Sequence, residues 1–258
     1  MGAAALALGV ALPAPLLAQE RAAVDADPAR PLAPFLHVDG ATAPRVGASV
    51  ATSSVTISDL GSGARAFASD LARAGAVRSL GAEASVTPWL SLTATGLTDA
   101  PSTDVGGASG MTAGVRLTPF ALGATRASLT LGVLRELSGA AGTFARLAVA
   151  RDFGRTRLAI SAHGEHVLTP GRDALDVMVS AGASYAVLGP MRVGVEYVGQ
   201  DLEGALDPAE VEGVRHFVGP TVAVELFERR VSLALGPAAG LSSGSPRAVG
   251  RMALAYAF

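Results

Sequence analysis

The chain ends on Arg251-Met-Ala-Leu-Ala-Tyr-Ala-Phe258, in which apolar side chains occupy every second position. Successive side chains of a β-strand point to opposite faces of the sheet. One face of this segment would therefore carry Met252, Leu254, Tyr256 and Phe258. The pattern predicts a final strand that is apolar on one face and ends on an aromatic residue.

The same alternation runs through most of the preceding chain. Eleven segments between Leu80 and Phe258 place large apolar residues in one register and small, polar or charged residues in the other. Residues 46–57 supply a twelfth segment, which needs a shift of register near Ser53. We therefore predict twelve strands, with ten as the alternative. Between residues 59 and 79 the spacing of Phe67, Leu71 and Val77 leaves a short helix, a loop and a further strand all open.

The terminal segment resembles the C-terminal insertion signal of Gram-negative outer-membrane β-barrel proteins, although Ala253 stands where that signal usually has glycine. The resemblance implies an all-β fold, a transmembrane antiparallel up-and-down β-barrel over residues 45–258. It also implies a location in the cell outer membrane, contact with outer-membrane lipid, and a C-terminal strand that is read by the barrel-assembly machinery.

The spacing of the connections favours the same class of protein. Alternation by itself also fits a soluble sandwich, because such a sheet hides one apolar face too. Short turns on one side and long loops on the other are typical of outer-membrane barrels. The short corners are residues 88–89, 120–124, 152–156, 188–190 and 227–229. The longer connections include residues 99–110, 201–212 and 236–250.

Aromatic residues gather beside the short corners, where they are expected to form an interfacial girdle. The alternative is that these rings close one end of a soluble barrel. The candidate girdle and insertion signal consist of Trp89, Phe120, Phe153, Tyr185, Phe227, Tyr256 and Phe258. A thinner girdle at the opposite end would use Phe144, Tyr197 and Phe217.

The N-terminal region has a different composition from the predicted barrel. Residues 1–18 are apolar and uncharged, are interrupted by Pro13 and Pro15, and are predicted to be a signal peptide for export through the inner membrane. The alternative is an alanine-rich helix of the mature protein. Residues 19–44 contain four prolines and scattered charge, and we interpret them as a mobile periplasmic segment.

The charged residues in the register opposite to the apolar one are expected to face the interior of the barrel. The candidate lumen-lining residues are Arg116, Arg126, Arg157, Arg192, Arg230, Glu83, Asp176, Glu196 and Glu225. The five arginines lie close to the short corners in the sequence. They could form a basic constriction that favours anions, or they could be members of ion pairs that lock the wall; we favour the ion pairs.

Several classes of function find little support. A net charge of −2 gives no nucleic-acid footprint, and the absence of cysteine excludes disulfides and thiolate chemistry. His163 and Glu165 share one strand face, but a satisfied polar pair explains them better than a catalytic or metal site. We therefore predict no enzyme activity, no catalytic residue, no metal and no cofactor. The expected function is a small diffusion channel or transporter for a small solute; the alternative is a structural or interaction barrel that acts through its extracellular loops.

Overall fold

The computed structural model describes residues 47–58, 75–99, 109–137, 139–168, 175–200, 202, 214–227, 230–242, 245 and 247–258. The predicted signal peptide, the segment 19–44 and most of residues 59–79 lie outside the described residues. The strands are β1 Ser49–Ser58, β2 Gly75–Thr87, β3 Leu90–Asp99, β4 Gly110–Leu122, β5 Thr125–Glu136, β6 Ala141–Phe153, β7 Thr156–Val167, β8 Asp176–Leu188, β9 Met191–Gln200, β10 Arg215–Leu226, β11 Val231–Gly240 and β12 Ala248–Ala257.

The twelve strands form one closed antiparallel barrel in which each strand pairs with its neighbours in sequence. The ring closes where β12 pairs with β1 from Val50↔Ala257 to Ser58↔Val249. The amide of Phe258 adds a bond to the carbonyl of Ser49 at 2.9 Å. Closure satisfies the backbone groups that an open sheet would leave unpaired at its edges. The predicted twelve-stranded up-and-down barrel is thus confirmed, and the ten-stranded alternative is wrong.

The first two strands differ from the sequence-based expectation. The ladders of β1 with β12 and with β2 run through Ser53 without a shift, so the predicted change of register does not occur. Val50, Thr52, Ser54 and Thr56 all face inward, and the apolar Val50 in this otherwise polar register is what suggested the shift. β2 begins at Gly75, so Val77 belongs to a strand rather than to a helix.

One end of the barrel carries all the tightest turns. Two residues connect β2 to β3, β4 to β5, β6 to β7 and β8 to β9. Gly123, Gly154 and Gly189 begin three of these turns with φ of 58°, 59° and 42°, as a type II′ hairpin turn requires. Residues 227–230 connect β10 to β11 at the same end. We call this the short-turn end and the opposite end, with connections of four residues or more, the long-loop end.

Three irregularities in the ladders lie beside the short turns. Pairing shifts between Ser85 and Thr87, between Leu117 and Phe120, and between Ala186 and Leu188. The shift in β4 contains Pro119, which has no N–H to donate to a ladder. Bulges of this kind twist the end of a strand and allow the two-residue turns to form.

The outer face of the barrel is apolar. Leu131, Ile160 and Leu254 lie in the middle of their strands, and each remains about half exposed, at 43%, 51% and 45%. The same face of β2 and β3 carries Leu80 and Leu92, which are more exposed still. Large apolar side chains spread over a whole outer wall are what a bilayer solvates and water does not. No helix in the described part of the chain is long and apolar enough to cross a membrane.

The ladder between β10 and β11 has the fewest paired residues among the described strands. Their ladder has no pair between Val218↔Ala239 and Val222↔Leu235, whereas β10 pairs with β9 without interruption. Pro220 and Pro237 lie in the interrupted stretch, and proline cannot donate a backbone hydrogen bond. We call residues 219–221 and 236–238 the proline seam.

Candidate functional site: the barrel lumen

The strongest ion-pair cluster of the lumen lies at the short-turn end. Arg157 donates from Nε to Oδ1 of Asp152 at 2.7 Å and from Nη2 to Oδ2 at 2.8 Å. Nη1 of Arg126 approaches Oδ2 of the same carboxylate at 3.6 Å. Two guanidinium groups from β5 and β7 therefore share one carboxylate from β6, and the pairs tie three consecutive strands together at this mouth.

Arg192 extends this cluster across β8 and β9. Its Nε donates to Oγ of Ser184 at 3.2 Å, and its Nη2 donates to the carbonyl of Arg155 at 3.2 Å. Glu225 on β10 lies close enough to interact with Arg192 electrostatically. Arg230 lies in the turn before β11 and is exposed. Ion pairs with Asp152 thus hold Arg126 on β5 and Arg157 on β7, whereas Arg192 on β9 is held by hydrogen bonds.

Arg116 lies higher in the lumen than its sequence position suggested, because β4 continues to Leu122 and places Arg116 in the middle of the strand. Its Nη1 lies 3.1 Å from Oε2 of Glu83 on β2. Its Nε donates to Oγ1 of Thr130 at 3.3 Å. The side chain therefore lies against the wall formed by β2 to β5.

His163 stands between a cation and an anion on the opposite wall. Arg146 donates from Nε to Nδ1 of His163 at 3.3 Å. Since Nδ1 accepts this bond, Nε2 carries the proton and donates to Oε1 of Glu165 at 2.9 Å. Glu165 is fully buried, and the ring of Phe144 lies 5.7 Å from the imidazole between centroids. The geometry holds a neutral histidine in one tautomer as a structural link.

A cavity of about 290 Å³ lies in the lumen between these two walls. Its charged lining consists of Arg116, Arg146, Arg251 and Glu83, with His163 beside Arg146. Hydroxyl groups line it from Thr52, Ser79, Thr93, Thr95, Thr112 and Thr130. Its apolar surface comes from Val50, Ala82, Leu97, Phe144 and Met178.

Arg251 reaches the cavity from the last strand. Its Nη2 donates to Oγ of Ser54 at 3.4 Å, and that hydroxyl lies 2.5 Å from Oγ of Ser79. The three strands that close the ring, β12, β1 and β2, thus contribute one hydrogen-bonded row to the lumen. A basic side chain of the terminal strand is thereby fixed beside the cavity.

The lumen becomes apolar near the long-loop end. Inward side chains about two residues from the strand ends form two packed clusters, which together we call the apolar collar. The collar consists of Val77, Leu97, Leu134, Ala140 and Val167 on one side and of Met178, Val198, Phe217, Ala238 and Val249 on the other. Phe217 is 1% exposed and is the largest of these buried side chains. Leu97 and Met178 belong both to the collar and to the cavity, so the cavity ends at the collar.

Solved structures of other proteins share this barrel fold. No family model and no curated protein sequence matches the chain. Among solved structures, the KdgM porin in complex with disordered oligogalacturonate matches with a TM-score of 0.58 at 8% identity, over 81% of this chain and 99% of that chain. The COG4313 outer membrane channel from Pseudomonas putida F1 matches with a TM-score of 0.58 at 12% identity, over 87% and 100%.

The chain has the fold of the outer-membrane porins and channels. This outer-membrane barrel fold accounts for the two unlike ends and the apolar outer wall described above. At these identities the likeness concerns the fold alone, so the chemistry of the lumen has to be argued from this chain's own residues.

In this outer-membrane barrel fold, the aromatic residues predicted for the girdle lie at the short-turn end. Trp89, Phe153, Tyr185, Phe227, Tyr256 and Phe258 are each between 40% and 74% exposed. Phe120 belongs to β4, and its side chain lies outside the described residues. Arg151 and Arg155 place their guanidinium carbons 4.8 and 5.0 Å from the ring centroids of Phe153 and Tyr185. Exposed aromatic rings with arginines stacked over them are typical of the boundary between lipid headgroups and water.

The second girdle suggested by the sequence is mostly wrong. Phe144 lines the lumen cavity and Phe217 belongs to the apolar collar, so both rings point inward. Tyr197 shares the outward register of Val195, and its hydroxyl lies 2.7 Å from Nδ1 of His216. Phe144 covers its neighbour Gly132 on β5, where a Cβ would lie 2.5 Å from the ring. A glycine in the polar register of the neighbouring strand leaves room for such a ring, and Gly132 was the sequence signal that Phe144 points inward.

The remaining acidic candidates lie towards the long-loop end. Asp176 begins β8 and Glu196 lies within β9, and both are buried. Within the described residues, no three histidine, cysteine or acidic side chains lie together as metal ligands would. Sequence reasoning missed the roles of Arg146 and Arg251, because alternation assigns a face but not a height in the barrel.

Proposed function

We propose that this protein is an outer-membrane channel for a small solute. The observation that carries the proposal is a polar, arginine- and threonine-lined cavity inside a closed barrel whose outer wall is apolar. A polar lumen inside a lipid-compatible outer wall gives a polar solute a path across the membrane along the barrel axis. The fold similarity to porins and channels supports the same interpretation.

The dimensions of the barrel limit the solute to a small one. Eight-stranded barrels are filled by their side chains, whereas porins of sixteen strands leave an aqueous channel. Twelve strands lie between these limits, and here ion pairs, Phe144 and the apolar collar occupy much of the interior. The proposal is therefore a narrow, solute-selective path and not a wide diffusion pore.

Planar-bilayer recording with the purified full chain tests the proposal. We expect stepwise insertion events with a small, reproducible conductance. Heat-modifiable gel mobility verifies that the sample is folded, and membrane fractionation verifies that the protein resides in the outer membrane. Folded protein that inserts without conducting would replace the channel with a structural or interaction barrel, and protein recovered from the soluble periplasm would exclude both.

An enzymatic function is tested with the same preparation. His163 is hydrogen-bonded on both ring nitrogens and Glu165 is fully buried, so neither ring nitrogen is left to act as a base towards a substrate. We expect no lipase or peptidase turnover from folded protein. Turnover that disappears in His163→Ala would overturn this expectation.

A further inference from the structure

We infer that the lumen cavity is a binding site for a small carboxylate that carries several hydroxyl groups, the chemical class of sugar acids and polyhydroxy acids. The inference deepens the proposed channel function and rests on it for its biological meaning. Of the five arginines that the sequence suggested, the cavity uses Arg116 alone and not the four that lie nearer the short-turn end.

The charge of the cavity favours an anion. Three guanidinium groups line it, from Arg116, Arg146 and Arg251, against the single carboxylate of Glu83. His163 adds no charge, since its Nδ1 accepts a hydrogen bond from Arg146 and so carries no proton. With Glu165, which lies directly behind His163, included in the count, the described wall of the cavity still carries one positive charge in excess. Because the low-dielectric wall of the barrel surrounds these charges, they attract a carboxylate more strongly than they would at an open protein surface.

The remaining lining favours a hydroxylated molecule over a simple carboxylate. The threonine and serine hydroxyls around the cavity each donate and accept, which is the pattern that matches sugar-like hydroxyl groups. Phe144 and Met178 offer an apolar patch on one side, against which the C–H face of a carbon chain or ring can pack. A bare anion such as chloride would use neither feature.

The volume of the cavity fits a molecule of this size. A volume of about 290 Å³ lies at the lower end of the range for pockets that bind small organic molecules. A longer polymer would have to thread past the apolar collar, where Leu97 and Met178 bound the cavity.

The test compares D-gluconate with D-sorbitol, which has the same carbon chain and a hydroxymethyl group in place of the carboxylate. Acetate supplies the carboxylate without the hydroxyls. Binding to the detergent-solubilised full chain is measured by isothermal titration calorimetry, and block of the ion current is measured in planar bilayers. We expect gluconate to bind and block at concentrations at least tenfold below those of sorbitol and acetate.

Variants locate the site. Arg146→Gln and Arg251→Gln should each weaken gluconate binding about tenfold, because each removes one charge-assisted contact. Arg126→Gln is the matched control: it removes the same charge from the lumen, but at the short-turn end outside the cavity, and should change binding less than about twofold. Arg251→Lys keeps the charge and should recover part of the loss. Thr95→Val tests the hydroxyl contribution without altering any ion pair.

The outcomes are distinguishable. Equal binding of gluconate and sorbitol, or an equal loss in Arg126→Gln and Arg146→Gln, would overturn the inference while the channel function stands. Gluconate binding without any current in the bilayer would overturn the channel function and leave the binding site in place. If Arg146→Gln fails to fold because His163 loses its partner, Arg251→Gln and Thr95→Val decide the question.

Discussion

Arg157 clamps Asp152 through two parallel hydrogen bonds of 2.7 and 2.8 Å, and the side chain of Arg157 is almost completely buried behind this contact. We expect Asp152→Asn to lower the free energy of unfolding by about 2–3 kcal/mol. The loss falls below the range for fully buried pairs because Asp152 keeps one third of its side chain exposed. Urea titration followed by heat-modifiable gel mobility measures the change.

The double variant Asp152→Asn with Arg157→Gln is the control for this pair. Removing both charges takes away the buried cation and leaves only the partly exposed Arg126 without this carboxylate, so the double variant should be more stable than Asp152→Asn alone. If the two changes simply add, the clamp contributes no coupling energy.

Gly132 should tolerate no side chain. A Cβ at this position would meet the carbonyl of Ala113 and would lie 2.5 Å from the ring of Phe144. We expect Gly132→Ala to destabilise the barrel by about 1–3 kcal/mol, as overpacking commonly does. Gly96→Ala is the matched control, since a Cβ there would have Leu80 O at 3.9 Å as its nearest neighbour. The control should be neutral or slightly stabilising; equal losses in both variants would contradict the packing argument.

A charged residue on the outer wall should destabilise the barrel more, the closer it lies to the middle of the bilayer. Leu131 lies in the middle of β5 and points outward, whereas Leu168 follows the end of β7 at the long-loop end. In a bilayer we expect Leu131→Arg to cost about 2–4 kcal/mol and Leu168→Arg about 0–1 kcal/mol. Unfolding from liposomes measures both values. If neither arginine variant lowered the free energy of unfolding, this wall would face water and not lipid.

The terminal aromatic residue should matter for assembly more than for stability. Phe258 is 72% exposed and packs edge-on against Tyr256 with centroids 4.7 Å apart. We expect Phe258→Ala to reduce the assembled protein in cells severalfold while refolding into detergent micelles proceeds normally. Phe153→Ala, at another exposed ring of the same barrel end, should leave cellular assembly unchanged. A matching loss in Phe153→Ala would assign the effect to the girdle as a whole.

Alternation in the sequence predicted the faces of the strands, and the lengths of the connections predicted the two unlike ends of the barrel. Both signals are local, as with Leu129 and Leu131 on either side of Thr130. Alternation failed in β1, because the apolar Val50 shares the inward face of Thr52, Ser54 and Thr56. In β10, by contrast, alternation placed Phe217 in the inward register of Arg215, and only the expectation of a second girdle was wrong.

The grouping of residues across the lumen could not be predicted, because it depends on how far each strand is staggered against the next. Arg146 pairs in register with His163, which in turn pairs with Met178, and only this sequence of registers brings them to one cavity. Arg251 arrives there through the closure of the ring, from a position almost two hundred residues away from Ser54.

The proline seam gives this ring a weakest joint. Pro220 and Pro237 leave β10 and β11 without ladder pairs over three residues on each strand. Fewer bonds have to break there than at the junction of the two chain ends, where β1 and β12 pair along their whole length. The amide protons of Val222 and Leu235 point across this joint beside the prolines, and those of Ser53 and Leu254 point across the closure of the ring. The first pair should therefore exchange with solvent deuterium earlier than the second. Under heat or denaturant, we expect the barrel to open first between β10 and β11, and not at the β1–β12 junction where its two chain ends meet.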